Sequence, residues 1–119
     1  MANKKIKVIL AVNTMSYQKV WISMIEGKIR QAADNAGWDM ELRVVEEAKL
    51  TSWDYENDRV DLILVSPKMR YGKKGISEKA EPLGIIVKDI DPTAYGMADG
   101  EKIFGQVMEA LKQKDKKLQ

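Results

Sequence analysis

Neither cysteine nor histidine occurs anywhere in the 119 residues. The first absence excludes disulfides, thiolate metal sites and a cysteine nucleophile; the second removes the commonest general base, metal ligand and phosphohistidine carrier. Most familiar catalytic schemes are closed by these two gaps alone. Long hydrophobic runs are missing as well, so no segment has the roughly 20 apolar residues that a membrane-spanning helix needs. The one early apolar run is short and has no small-residue cleavage site after it, so no signal peptide is read and a cytoplasmic location is expected.

A strong charge of one sign is also lacking. The formal net charge is +2, and it is carried by the ends: Lys4, Lys5 and Lys7 at one, Lys112, Lys114, Lys116 and Lys117 at the other, with a mildly acidic body between. A nucleic-acid groove needs basic residues along one face with stacking aromatics among them. Only Lys68-Met69-Arg70-Tyr71-Gly72-Lys73-Lys74 approaches this, and one such loop reads as a solvated turn. No nucleic-acid partner and no direct membrane insertion are therefore expected.

What is present is alternation. Ile6-Lys7-Val8-Ile9-Leu10 continues as Ala11-Val12 and then breaks into Asn13-Thr14-Met15-Ser16, which reads as a strand buried on both faces, a tight loop and a helix start. From Ser16 to Ala36, the residues Trp21, Ile22, Ile25, Ile29, Ala32 and Ala33 recur at three- and four-residue intervals, the stripe of an amphipathic helix, and Gly37 is its natural stop. Trp38 to Val45 alternates apolar and charged residues with period two, as an edge strand does. A short irregular helix is expected within Glu46 to Arg59, and Val60 to Val65 is a core strand closed by Ser66-Pro67, with serine as a helix cap and proline in the first turn. Gly72 and Gly75 argue for a loop and a short helix between Lys68 and Glu81, ended by Pro82. Leu83 to Val87 is a fourth strand, and after a turn-rich loop Asp99 caps a last helix whose apolar face is Ile103, Phe104, Val107, Met108 and Leu111.

Four strand-helix alternations imply a single α/β domain over residues 1–119, with a four-stranded parallel sheet in the order 2-1-3-4, helices on both faces, and flexible tails at 1–5 and 113–119. The loops after the first, third and fourth strands then meet at the carboxyl edge of the sheet, where such folds bind ligands. Amides of Val12, Asn13, Thr14, Met15 and Ser16 at the first helix N-terminus form the natural place for an anion there. Lys68, Arg70, Tyr95 and Asp99 are candidates for the rim of the same site, and Lys73 and Lys74 add positive charge to the loop that holds the first two. No metal and no cofactor are called for.

Three stretches carry a resemblance. Met15-Ser16 opens the first helix, Asp61-Leu62-Ile63-Leu64-Val65-Ser66-Pro67 spans the third strand, and Ile90-Asp91-Pro92-Thr93-Ala94-Tyr95-Gly96-Met97-Ala98-Asp99-Gly100 precedes the last helix. Together they resemble the cytoplasmic IIB components of the lactose/cellobiose/chitobiose branch of the bacterial sugar phosphotransferase system. The resemblance implies a flavodoxin-like three-layer sandwich, a P-loop-like phosphate-wrapping loop after the first strand, and IIA and IIC components as partners. It implies, too, a cysteine at the end of the first strand that takes a phosphoryl group from a phosphohistidine on IIA and passes it to sugar held by IIC.

Matched from Met15, that cysteine falls at Ala11 and the loop glycine at Thr14. Alanine carries no nucleophile, and threonine resists the positive φ angles that glycine adopts at low cost. Thr14 and Ser16 offer hydroxyls, yet no histidine is present to deprotonate them, and Ser16 reads as a helix cap. Two functions stay open at this point: a sugar-specific IIB phosphoryl carrier, or a non-catalytic IIB-like module that docks on phosphotransferase-system partners.

Overall fold

The fold is that of a computed structural model that describes residues 5–13, 19–67 and 72–118, with side chains described through residue 113. Strands β1 (Lys5–Val12), β2 (Asp39–Glu46), β3 (Leu62–Val65) and β4 (Ile86–Asp89) form one sheet in the order β2-β1-β3-β4. Every neighbouring pair is parallel, with Ala11 opposite Val45 on one side and Val65 on the other. The central position of β1 follows from its composition: Val8, Ile9, Leu10, Ala11 and Val12 are all buried, which only a strand covered on both faces allows.

Side chains alternate across the sheet and so divide the core in two. Val8, Leu10, Val12, Leu42, Leu62 and Leu64 face one layer, built by α1 (Lys19–Asn35) and α5 (Gly100–Leu118). The stripes expected from the sequence pack here: Ile22, Ile25, Ile29, Ala32 and Ala33 from α1, and Ile103, Phe104 and Val107 from α5, with Met108 and Leu111 half-buried beside them. Ile9, Ala11, Val45, Ile63, Val65 and Val87 face the other layer, made by the one-turn α2 (Glu47–Leu50), the irregular segment after it and α3 (Gly72–Ala80).

Helix ends follow their chemistry. Gly37 takes φ +79° after α1, and the Trp38 amide returns to the Ala33 carbonyl at 2.9 Å, closing the helix as a left-handed glycine allows. Asp99 accepts from the Lys102 amide at 3.1 Å and caps α5.

Several boundaries depart from the sequence reading. β4 begins at Ile86 rather than Leu83, because Glu81–Leu83 forms a 3-10 turn around Pro82 and Gly84 turns the chain at φ +82°. The stretch read as a loop after β4 contains a short helix, α4 (Pro92–Gly96), started by Asp91, whose carboxylate accepts from the Ala94 amide at 2.9 Å. Ser66 is buried, and its amide donates to the Ala11 carbonyl at 3.1 Å; the helix start expected after Ser66-Pro67 falls on residues 68–71, which lie outside the described residues. α5 runs to Leu118, past the expected end at Lys112, since no glycine or proline interrupts 112–118.

Candidate functional site

The carboxyl edge of the sheet is assembled from the ends of all four strands. At its centre Ala11 is fully buried, and its methyl group lies in the α2/α3 layer with Ile9, Val45 and Val65. Val12 is 4% exposed and faces the α1 layer, and Asn13 is half-exposed at the strand end. Thr14, Met15 and Ser16 lie outside the described residues, as do Lys68 and Arg70.

What surrounds Ala11 is determined by register. Val45 and Glu46 of β2 stand opposite Ala11 and Val12. Glu46 occupies the N-cap position of α2 without capping it through its side chain. Glu47 follows, and its carboxylate lies where a side chain on Gly72 would project, at the N-terminus of α3. A carboxylate in that place is favoured by the helix dipole. Two acidic groups therefore flank the edge beside the alanine.

On the other side, the Lys73 ammonium pairs with the Asp89 carboxylate at 2.7 Å, so this lysine of the basic loop is already neutralised. Gln106 of α5 spans the end of β4, its amide oxygen accepting from the Asp91 N–H at 2.9 Å and its nitrogen donating to the Asp89 carbonyl at 3.4 Å. Lys74 is exposed.

Tyr95 and Asp99 come from the α4 region but do different things. Tyr95 is half-buried against the α1/α5 core, and burial pushes its phenol above the usual tyrosine pKa. Asp99 caps α5 and lines a cleft of about 260 Å3 with Lys28, Gln31 and Asn35 of α1. Val12 and Asn13 line a separate cleft of about 230 Å3, bounded by α1 and the end of β2. Ala11, Val12, Ser66 and Asp89 are thus contiguous through the sheet, whereas Asp99 borders a different cavity.

Sequence reasoning passed over Glu46, Glu47, Asp89 and Gln106. The acidic pair directly after an alternating strand was the available signal, because a residue that ends a parallel strand lies at the ligand-binding edge. Nothing in local pattern announced the Gln106 clamp. Among the described residues, no group of three or more acidic side chains could hold a metal ion.

Comparison with known proteins adds a family. The model described as "PTS system, Lactose/Cellobiose specific IIB subunit" matches residues 23–106, a span that begins after the Ala11 junction. The chain is 29% identical over 89 residues to the PTS system oligo-beta-mannoside-specific EIIB component of Bacillus subtilis (strain 168), covering 75% of this chain and 84% of that protein. Its fold is similar to the solution structure of the cellobiose-specific phosphotransferase IIB component protein from Borrelia burgdorferi, with a TM-score of 0.70 and 24% identity over 95% of this chain and 97% of that one. The lactose-specific IIB component domain from Streptococcus pneumoniae superimposes with the same TM-score of 0.70, at 18% identity over 89% of this chain and 97% of that one.

Proposed function

The chain belongs to the lactose/cellobiose-specific IIB family of the sugar phosphotransferase system, and from that premise we propose that it is a docking member of the family, one that engages IIA and IIC partners in the cytoplasm without carrying the phosphoryl group itself. The observation that supports this reading is Ala11. The end of β1, where the resemblance places the acceptor, presents a fully buried methyl group. Phosphoryl transfer needs a nucleophile held in line with the donor, and a methyl group supplies none. Glu46, opposite Val12 at the end of β2, adds a negative charge at the same edge that opposes a further anion. Docking depends on shape and surface charge rather than on a nucleophile, and the parallel sheet in the order β2-β1-β3-β4 supports this reading. The partner classes come from the family, and no helix among the described residues is long and apolar enough to cross a membrane.

The test is intact-protein mass spectrometry after incubation with a phosphorylated IIA partner, together with amide shifts on adding the same partner. We expect no phosphate adduct, and shifts at Ala11, Val12 and Asn13. A stoichiometric adduct mapped to Thr14 or Ser16 would overturn the non-carrier reading, and absence of any shift would overturn the docking. Ala11→Cys then separates two causes: phosphorylation gained by this change alone shows that only the nucleophile was missing, whereas a requirement for Thr14→Gly in addition assigns the block to the loop conformation.

A further inference from the structure

We propose that the outer edge of β4 pairs with the same edge of a second copy of this chain, antiparallel about a two-fold axis at Val87. β4 ends the sheet, and two bonds toward the β3 side set the direction of its peptide groups: the Ile86 amide donates to the Asp61 carbonyl at 3.3 Å, and the Ile90 amide to the Val65 carbonyl at 3.0 Å. A trans peptide points its C=O opposite to its N–H, and strand residues alternate, so the Ile85 carbonyl, both Val87 groups and both Asp89 groups face away from β3. The chain satisfies part of this edge itself. The Ile85 amide returns to the Ala80 carbonyl at 3.2 Å, and the Gln106 side chain donates to the Asp89 carbonyl at 3.4 Å. The Val87 donor and acceptor, the Ile85 acceptor and the Asp89 donor remain, with no partner among the described residues.

That remainder is self-complementary. Facing residues of a hydrogen-bonded antiparallel pair exchange both bonds, and the next such pair lies two residues along each strand. With Val87 facing Val87 of the second copy, Asp89 faces Ile85 of the second copy. The Asp89 amide then meets an open Ile85 carbonyl, and the two groups left over in that pair are the ones each chain already satisfies. A two-fold axis repeats every bond, as an isologous interface requires. Access and charge agree. A cleft of about 500 Å3 runs along Ile85, Ile86, Val87 and Lys88, walled on one side by Glu109, Ala110 and Gln113 of α5. A lysine on an edge strand deters pairing where nothing opposite neutralises it. Lys88 shares the face of Ile86, which packs on the α1/α5 core, and neither Lys88 nor Glu109 has an ion-pair partner among the described residues. Pairing about Val87 sets Lys88 across from Ile86 of the second copy, on the face that carries the second copy's Glu109. The opposite edge of the sheet is less open, because the Arg30 guanidinium takes the Leu42 carbonyl of β2 at 2.5 Å.

This inference does not depend on the docking role proposed above, since it uses neither Ala11 nor a phosphotransferase-system partner. Sedimentation equilibrium of the full chain from about 10 μM to about 1 mM covers the range expected of a short strand pair. A mass rising toward that of two chains is expected, with hydrogen exchange at the Val87 and Asp89 amides slowing over the same range. Val87→Pro removes the outward donor and leaves the β3–β4 ladder intact, because Val87 donates nothing to β3, and it is expected to abolish association. Lys88→Glu, at an exposed side chain, is expected to weaken association by about tenfold, and Glu109→Lys added to it to restore association. Lys88→Glu decides the matter if Val87→Pro does not fold. The mass of one chain throughout would overturn the proposal. So would association that leaves Val87 and Asp89 exchange unchanged, association untouched by Lys88→Glu, or protection of Val87 only when a IIA partner is added, which would give the edge to that partner.

Discussion

The two layers that cover the sheet are built on different principles. The α1/α5 layer is a pair of long helices whose apolar stripes meet the even-numbered residues of β1, and Ile25, Ile29, Ile103 and Val107 are all fully buried in it. The α2/α3 layer has one turn of helix, a nine-residue helix and a long irregular segment between α2 and β3. Polar pins hold that segment in place. The Tyr55 hydroxyl donates to the Leu50 carbonyl at 2.8 Å, the Trp53 indole to the Asp58 carbonyl at 3.2 Å, and Arg43 reaches the Asp58 carboxylate at 2.9 Å while lying 5.2 Å from the Trp53 ring centre. Ala11 belongs to this second layer. Thick helical packing supports the sheet from one side, and the side built from shorter elements holds Ala11.

The comparison can be broken most directly by cutting equivalent isoleucines. Ile29 of α1 and Ile76 of α3 are both fully buried. Truncating a buried isoleucine to alanine costs about 2–5 kcal/mol, with the value set by how far the neighbours collapse into the cavity. Ile29→Ala, locked between α5 and the sheet, is expected at the upper end of that range. Ile76→Ala is expected at the lower end, because a short helix beside irregular chain can shift inward. Urea unfolding of the two variants measures this, and equal losses would show that both layers are equally rigid.

The same contrast explains which parts were legible from residues alone. β1, α1 and α5 were, because their apolar period is long enough to specify both element type and buried face. Strand order followed from the single alternating strand, β2, whose charged residues suit an edge. α4 and the late start of β4 were not, since Pro82, Gly84 and Pro92 mark a change of direction without saying whether a helical turn or a loop follows. Of the candidate site, the place of Ala11 near the end of β1 was legible from the apolar run that breaks at Asn13. Its acidic neighbours were not, because Glu46 comes beside Val12 only through the β1–β2 register, and Glu47 reaches Gly72 only through the packing of α2 on α3.

Two glycines on α5 sharpen the comparison within the thicker layer. A Cβ on Gly100 would fall on the backbone carbonyl of Lys28, so α1 and α5 approach each other through the bare glycine. Gly100→Ala must push the helices apart, and a destabilisation of about 1–3 kcal/mol is expected, as for overpacking. Gly105 is exposed in mid-helix, with nothing within 4 Å of the added atom. Gly105→Ala is expected to stabilise by about 0.5–1 kcal/mol through helix propensity. Opposite signs in thermal unfolding, from one substitution on one helix, would locate the tight contact. Equal signs would mean that α1 yields.

A further test probes a polar pin of the thinner layer. Tyr55 is 4% exposed, and its hydroxyl satisfies a buried carbonyl. Tyr55→Phe keeps the ring and orphans that carbonyl, for a loss of about 1 kcal/mol near neutral pH. Burial raises the phenol pKa above its ordinary value of 10.0, so in the native state the proton is held more tightly than in the unfolded chain. Below the unfolded value both states are protonated and the contribution is intact. As pH rises through about 10 the unfolded chain ionises first, and stability falls until the folded phenol ionises as well. Tyr95 shares the direction of the shift, from its half-buried place in the other layer. Urea midpoints measured across pH about 9 to about 11 should therefore fall for the unaltered chain and fall less steeply for Tyr55→Phe. An identical alkaline slope in the variant would assign the loss to Tyr95 and leave the Tyr55 hydroxyl with a structural role only.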